Sequence, residues 1–220
     1  MAYILNIDTA INNASVCLAE DDRLVNIAIN ENQKDHAAWL QPAIKNLVES
    51  AGIELKHLDA IAVSIGPGSY TGLRIGLSTA KGLCYALNIP LIAIGTLDMM
   101  AVAAENKDFD LLCPMIDARR MEVFTAVYKK NREKIISPCA LILDQNSFSD
   151  LLVNNTVLFF GNGSNKLKQL ISHHHAFFDD IQINSSLLTK ISNKRFHISD
   201  FNSLAYTEPV YIKNFHSVIK

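Results

Sequence analysis

Glycines, hydroxyls and acids gather at three places in this chain, at spacings that suit phosphate chemistry. The fullest is Gly66-Pro67-Gly68-Ser69-Tyr70-Thr71-Gly72, which follows the apolar run Ile61–Ile65 and precedes a helical pattern. Such a turn leads backbone N–H groups into a helix N-terminus, where an anion is welcome. It is not a Walker A loop: three residues separate Gly68 from Gly72, and Leu73-Arg74 follows where Lys-Ser/Thr would stand. The same residues also suit a tight turn that only has to pack closely, so a phosphate cradle and a packing turn are both open. Asp8-Thr9 ends the strand-like run Tyr3–Ile7 and offers either an acid for phosphate and metal or a carboxylate that holds a turn. Gly161-Asn162-Gly163, before a helical pattern, is either a nucleotide-edge contact or a second turn.

Other chemistries are poorly served. Cys17, Cys84, Cys113 and Cys139 are widely spaced in apolar contexts with no CxxC, so neither a zinc knuckle nor a redox pair is indicated. His173-His174-His175 invites a metal, yet adjacent imidazoles rarely share one ion. No Ser/His/Asp, Cys/His or HExxH arrangement occurs.

The elements around the first turn form a βαβ unit. Ile61–Ile65 reads as a buried strand, and Leu73, Leu77, Ala80, Cys84 and Leu87 form one apolar helical stripe after Gly72. Asn88 suits a stop, Pro90 forbids continuation, and Leu91–Ile94 is a second strand parallel to the first. Arg74, Ser78, Lys81 and Tyr85 make a polar stripe on this helix. Between it and the core lie Ile75, Thr79, Gly82 and Ala86. A mid-helix glycine costs about 1 kcal/mol relative to Ala, so Gly82 points to close approach by another backbone, either inside this chain or on a second protein. A helix over 36–51 presents Leu40, Ile44, Leu47 and Ala51 to the core, with Trp39 near the edge of that face and Gly52 as its stop. Pro42 either kinks this helix or marks its true start.

Three strands, 3–7, 15–19 and 24–29, precede that helix, the latter two joined by a polar hairpin turn. The pattern of strand, Asp, turn, strand, turn, strand occurs again over 111–143, ending its first strand at Asp117. A strand at 157–160, a helix from 164 to 172, a helix at 185–191, a polar loop over 193–203 and an extended edge at 209–213 complete the expectation. Two lobes are expected, 1–106 and 107–220, with the C-terminal segment a candidate to return to the first.

With 49% hydrophobic and 19% charged residues, the 220-residue chain has an ordinary globular composition and is long enough for a real core. Its net charge of −2 gives no global drive toward nucleic acid or anionic membrane. No apolar run is long enough to span a bilayer, the chain opens directly on a strand-like run, and its thiols suit a reducing compartment. A cytoplasmic protein without membrane association is therefore expected.

The opening strands with Asp8-Thr9 resemble the start of the actin, Hsp70 and sugar-kinase fold, where the first acid sits by nucleotide phosphates and metal. More specifically, the stretch Ser64–Leu97 resembles the signature of the bacterial TsaB (YeaZ) family, which serves in making threonylcarbamoyladenosine on tRNA. The similarity continues in Ile7-Asp8-Thr9-Ala10, in His36, Leu40, Pro42 and Ile44, and in Ile116-Asp117-Ala118-Arg119-Arg120 with Glu122-Val123. It resumes in Phe160-Gly161-Asn162-Gly163 and Pro209-Val210-Tyr211-Ile212-Lys213, and weakens over 144–155 and 166–203.

This resemblance implies an α/β protein of the actin/Hsp70/sugar-kinase-like (ASKHA) fold, with two lobes of mixed sheets flanked by helices. In the catalytic paralogue TsaD, which carries threonylcarbamoyl to N6 of the adenosine beside the anticodon, two histidines four residues apart hold a metal. The matching positions here are Thr96 and Met100, neither of which replaces an imidazole. The resemblance therefore implies a scaffold or activator without catalytic residues or a metal of its own, pairing with TsaD while the ATPase TsaE joins the complex. It makes Ile75, Thr79, Gly82, Ala86 and Trp39 the partner face, which could also support an isologous homodimer when the partner is absent. It leaves Asp8, Thr9, Gly66, Gly68, Ser69, Thr71, Gly72, Gly161 and Gly163 as a vestigial phosphate loop. ATP or ADP would be bound by the complex, Mg2+ would sit on partner subunits, and tRNA would be reached through the complex. The rival readings are a small ATP-dependent kinase of the same superfold, using Asp8 and Asp117, and a peptidase, which lacks its residues.

Overall fold

Apolar residues at every second position near the start of the chain form a meander around which the first unit is built. The structure is a computed structural model and describes residues 1–32 and 35–213. Strands β1 (Tyr3–Asp8), β2 (Ala14–Glu20) and β3 (Arg23–Asn30) pair antiparallel through short turns. Parallel pairing needs a crossover. Helix α1 (His36–Ser50) leads to β4 (Ala60–Ser64) beside β1, and α2 (Tyr70–Leu87) leads to β5 (Leu91–Ile94) beside β4. The sheet order is β3-β2-β1-β4-β5. Leu5, Ile7, Val16, Leu18, Ile61 and Val63 share a core with Leu40, Ile44 and Leu47 of α1 and Leu77, Ala80 and Cys84 of α2. Pro42 lies inside α1 and does not mark its start.

Helix α2 begins at Tyr70, three residues before the expected start at Leu73, because Ser69 caps it: its hydroxyl accepts from the Gly72 N–H at 3.2 Å. Gly72 is thus in the first helical turn. Asn88 ends the helix in the left-handed conformation, φ 55°, as its position before Pro90 led us to expect. Helix α3 (Thr96–Val102) follows.

The second unit repeats the scheme. Strands β6 (Leu111–Asp117), β7 (Glu122–Lys129) and β8 (Lys134–Ile142) form an antiparallel meander. After α4 (Ser149–Leu152), β9 (Val157–Phe160) pairs parallel with β6. After α5 (Ser164–Lys168), β10 (Ala176–Asp179) pairs parallel with β9. The order β10-β9-β6-β7-β8 is that of the first sheet read from its other edge. Cys113, Met115, Val123, Val127, Phe159 and Leu167 fill its core, with the Phe178 ring stacked on Phe159 at 5.3 Å.

The chain divides at Met99/Met100 rather than at 106/107, and residues Gln182–Pro209 belong to the first unit while the second resumes at Val210. The returning segment is helical near 185–191 as expected, a 3-10 turn over Ser185–Leu188 leading into helix α6 (Thr189–His197), but α6 runs on through 193–197, where a polar loop was expected. Its buried face is itself polar: Ser192 Oγ donates to Asn6 Oδ1 at 2.7 Å, and the Ser185 N–H donates to Ser15 Oγ at 2.8 Å. Apolar periodicity cannot reveal such a face. Arg195 donates to the Ala93 carbonyl at 2.6 Å and to Asn202 Oδ1 at 3.0 Å. Asn202 also accepts from the Ala93 N–H and donates its own N–H to the Leu91 carbonyl, so the open edge of β5 is closed. Two further expectations differ: the helix from Ser164 stops at Lys168, and 209–213 forms no strand. Strand β10 was not expected: it is short and, unlike the fully buried β5 and β9, only partly buried, so it lacks their continuous apolar run.

Gly76 fixes the seat of α2 on the sheet. A Cβ there would overlap Thr9 Oγ1 and stand 3.5 Å from Val63 Cγ2. Gly76→Ala therefore loses stability, by about 1–3 kcal/mol, although Ala is the better helix former. Urea unfolding of the purified chain measures this.

Candidate functional site

The glycine turn is packed by the chain itself. A Cβ on Gly68 would overlap the Ala10 carbonyl, and one on Gly72 the Thr9 carbonyl. The Ser69 N–H donates to the Ala10 carbonyl at 2.7 Å, and Thr9 Oγ1 donates to the Gly72 carbonyl at 2.7 Å. The Gly66 N–H donates to Thr96 Oγ1 at 3.0 Å, and the Thr96 N–H returns a bond to the Gly66 carbonyl at 2.8 Å. With the Gly72 N–H bonded to Ser69 Oγ, the amides of Gly66, Ser69 and Gly72 are all engaged internally, and the close approach to residues 9 and 10 accounts for both Gly68 and Gly72. Thr71 is exposed beside them.

Asp8 sits at the centre of this arrangement and is fully buried. Its Oδ1 accepts from Ser64 Oγ and from the Ala10 N–H, while Oδ2 has no hydrogen-bond partner. Burial pushes the carboxyl above its ordinary range, outweighing the opposing effect of the Ser64 and Ala10 bonds. A half-satisfied buried carboxyl of this kind favours the protonated form.

Gly161 and Gly163 belong to the second unit and are also spent on packing. Gly161 is left-handed, φ 92°, and a Cβ there would stand 2.5 Å from the Met115 carbonyl oxygen and from Met100 Cε. One on Gly163 would meet Val123 Cγ1 at 2.9 Å and the Ile116 carbonyl carbon at 3.0 Å. Asn162 Oδ1 accepts from the Asp117 N–H at 2.9 Å. Asp117 Oδ1 accepts from Lys166 at 2.6 Å and from the Arg119 N–H at 2.6 Å. Partial burial raises its pKa, but these two bonds and the two positive charges outweigh that and hold it below the ordinary value. The two acids in equivalent places thus have opposite electrostatics.

The small-residue stripe of α2 lies on the side toward α1, where Gln41 Nε2 donates to Thr79 Oγ1 at 3.3 Å. Ile75, Thr79 and Trp39 are half-buried, and Gly82 and Ala86 are exposed. Among the described residues nothing lies within 4 Å of the place a Gly82 Cβ would occupy. Internal packing therefore does not explain this glycine. The polar stripe holds a residue that sequence could not place: Lys81 donates to the carbonyls of Ala205 and Thr207, at 3.3 and 3.1 Å. Tyr85, one turn on, is 82% exposed.

Thr96 has the turn-closing role given above, and Met100 lies against Gly161. Among the described residues no three His, Cys, Asp or Glu side chains converge as a metal site would require. The rings of His173 and His174 stack, and His175 lies tilted to His174 and edge-on to His173. Burial pushes the thiols of Cys17, Cys84 and Cys113 up to about 12, which makes them inert at neutral pH. No helix among the described residues is long and apolar enough to cross a membrane.

Two mixed sheets of one strand order, each flanked by helices, define an α/β protein of the actin/Hsp70/sugar-kinase-like class. The family model described as "TsaD: tRNA N6-adenosine threonylcarbamoyltransferase" matches residues 26–205. The "tRNA threonylcarbamoyladenosine biosynthesis protein TsaB" of Bacillus subtilis is 34% identical over 175 residues, which cover 76% of this chain and 74% of that protein. The Escherichia coli protein of the same name is 35% identical over 133 residues, covering 60% and 57%. The solved structure "YeaZ from Pseudomonas aeruginosa" superimposes with a TM-score of 0.81 at 25% identity, over 96% of this chain and all of that one. The chain belongs to the TsaB (YeaZ) family, a relative of TsaD.

The Asp8 environment gives a pH signature. The folded chain holds this proton more tightly than the unfolded chain, so its contribution to stability is full below the ordinary carboxyl pKa and is lost as pH rises through the folded value. Asp8→Asn keeps the shape without the charge. Its melting temperature relative to the parent chain is therefore higher at about pH 8 than at about pH 5, as thermal melts at the two pH values would show.

Proposed function

We propose that this chain is a non-catalytic subunit in the synthesis of threonylcarbamoyladenosine on tRNA, pairing with TsaD through the outer face of α1 and α2. TsaE joins the complex. The observation that carries this reading is Gly82: a glycine in the middle of an 18-residue helix, with open space where its side chain would be. It costs the isolated helix about 1 kcal/mol and serves no neighbour among the described residues. A second helix crossing there could approach backbone to backbone, with Ile75, Ala86 and the half-buried Trp39 as apolar surround. Burial of such a face contributes about 25 cal/mol per Å² before the costs of association. The same face pairs two copies when TsaD is absent.

Three observations support a scaffold over an enzyme. Thr96 and Met100 stand where the resemblance to TsaD calls for metal-binding histidines. The glycine turn is filled by Thr9 and Ala10. Asp117 is tied to Lys166, and Asp8 is buried under Ser64 and Ala10, so the kinase reading is not favoured. Nucleotide and Mg2+ are accordingly assigned to partner subunits, and a chain of net charge −2 reaches tRNA through the complex.

Gly82→Leu separates pairing from folding. Leucine is the better helix former by nearly 1 kcal/mol and meets no internal atom, so the variant melts no lower than the parent. On a sizing column it fails to co-elute with TsaD. Co-elution at parental strength would contradict the proposed face.

A further inference from the structure

The second unit contains a cavity of about 370 Å³ between the sheet and the segment that runs into α4. A single water occupies about 30 Å³, so this is no packing defect, and it falls in the lower part of the range of ordinary ligand pockets. Ile136 and Leu141 of β8, with Phe148 and Leu151 across from them, supply apolar walls. The sheet is irregular at this point: the β7–β8 register shifts between Thr125 and Val127, and β8 carries Pro138. Phe148 adopts the left-handed conformation, φ 66°, which is unusual for a bulky side chain, and its ring lies 5.2 Å from that of Phe159. Phe148 is thus fixed on the wall by its contact with the core ring of Phe159.

The polar part of the lining has one sign. Thr125 Oγ1 is occupied, donating to the Pro114 carbonyl at 2.8 Å. Asp144, two residues before Asn146, has its Oδ1 taken by the Asn146 N–H and the Ser147 hydroxyl. Asp150, which lines the cavity, makes no ion pair or side-chain hydrogen bond to any described residue. We propose that this cavity is a binding site for a small primary amine with an aromatic body, whose ring lies among Ile136, Leu141, Phe148 and Leu151 and whose ammonium meets Asp150. The volume is ample for one fused ring pair on a short chain. The site lies wholly within the second unit and does not depend on pairing through α1 and α2.

Tryptamine and indole-3-propionate have the same ring and opposite charge, and each is titrated into the full chain carrying labelled Ile and Leu methyls. Tryptamine gives saturable shifts concentrated at Ile136, Leu141 and Leu151, and binds up to about 5-fold more tightly than indole-3-propionate, the scale expected of a solvent-accessible ion pair. Asp150→Asn removes that preference while leaving ring-dependent shifts in place. Saturating tryptamine also slows alkylation of the half-buried Cys139 in the cavity lining by iodoacetamide. Shifts that scatter over the chain or never saturate would overturn the site. Equal binding of the two probes, or an unchanged preference in Asp150→Asn, would overturn the assignment of an amine.

Discussion

The seat of α2 on the loop between β1 and β2 is the constraint on which the first unit depends. Gly68, Gly72 and Gly76 are spaced four apart, and at each a side chain would overlap residues 9 or 10. A helix can come this close to another backbone only where Cβ atoms are missing. Once seated, α2 turns Leu77, Ala80 and Cys84 into the core, Lys81 toward the returning segment, and Gly82 and Ala86 outward. The residues that could have cradled a phosphate are thereby used to orient a helix. The filling of this turn by residues 9 and 10 and the outward placement of Gly82 and Ala86 are two consequences of one packing arrangement.

Duplication of the strand order gives the chain two acids at the ends of equivalent strands, and their fates differ. Asp8 is buried with one oxygen unsatisfied and is held toward its neutral form. Asp117 is exposed, ion-paired to Lys166 and held charged. The units have also diverged in how their sheets are covered. The first has two long helices on one face and α6 on the other, whereas α4 and α5 of the second are single turns. So thin a layer over β7 and β8 leaves room for the cavity.

Much of this was legible in the residues. The short apolar runs of β1, β2 and β6, the alternation of β7, the apolar stripes of α1 and α2, and the Asn88 stop all follow from local rules. The small-residue face was visible as residue types, but its openness was not, because a glycine has the same sequence signal whether its neighbour is internal, external or absent. Gly76 was hidden inside a helical pattern that its own side of the helix does not disturb. Most of the returning segment escaped for a physical reason: Ser185, Ser192, Asn6 and Ser15 bury polar groups against one another, and Lys81 reaches carbonyls more than 120 residues away. The division at Met99/Met100 falls within an apolar run, where composition gives no sign of a boundary.

The central claim is that this chain activates a catalytic partner without catalysing the transfer itself. Reconstitution tests it directly: TsaD, TsaE, tRNA and threonylcarbamoyl-adenylate are combined with and without this chain, and the modified nucleoside is quantified by mass spectrometry. Product that forms only when the chain is present, with none from the chain and tRNA alone, is the expected result. Equal product in its absence, or product from the chain without TsaD, would contradict the account.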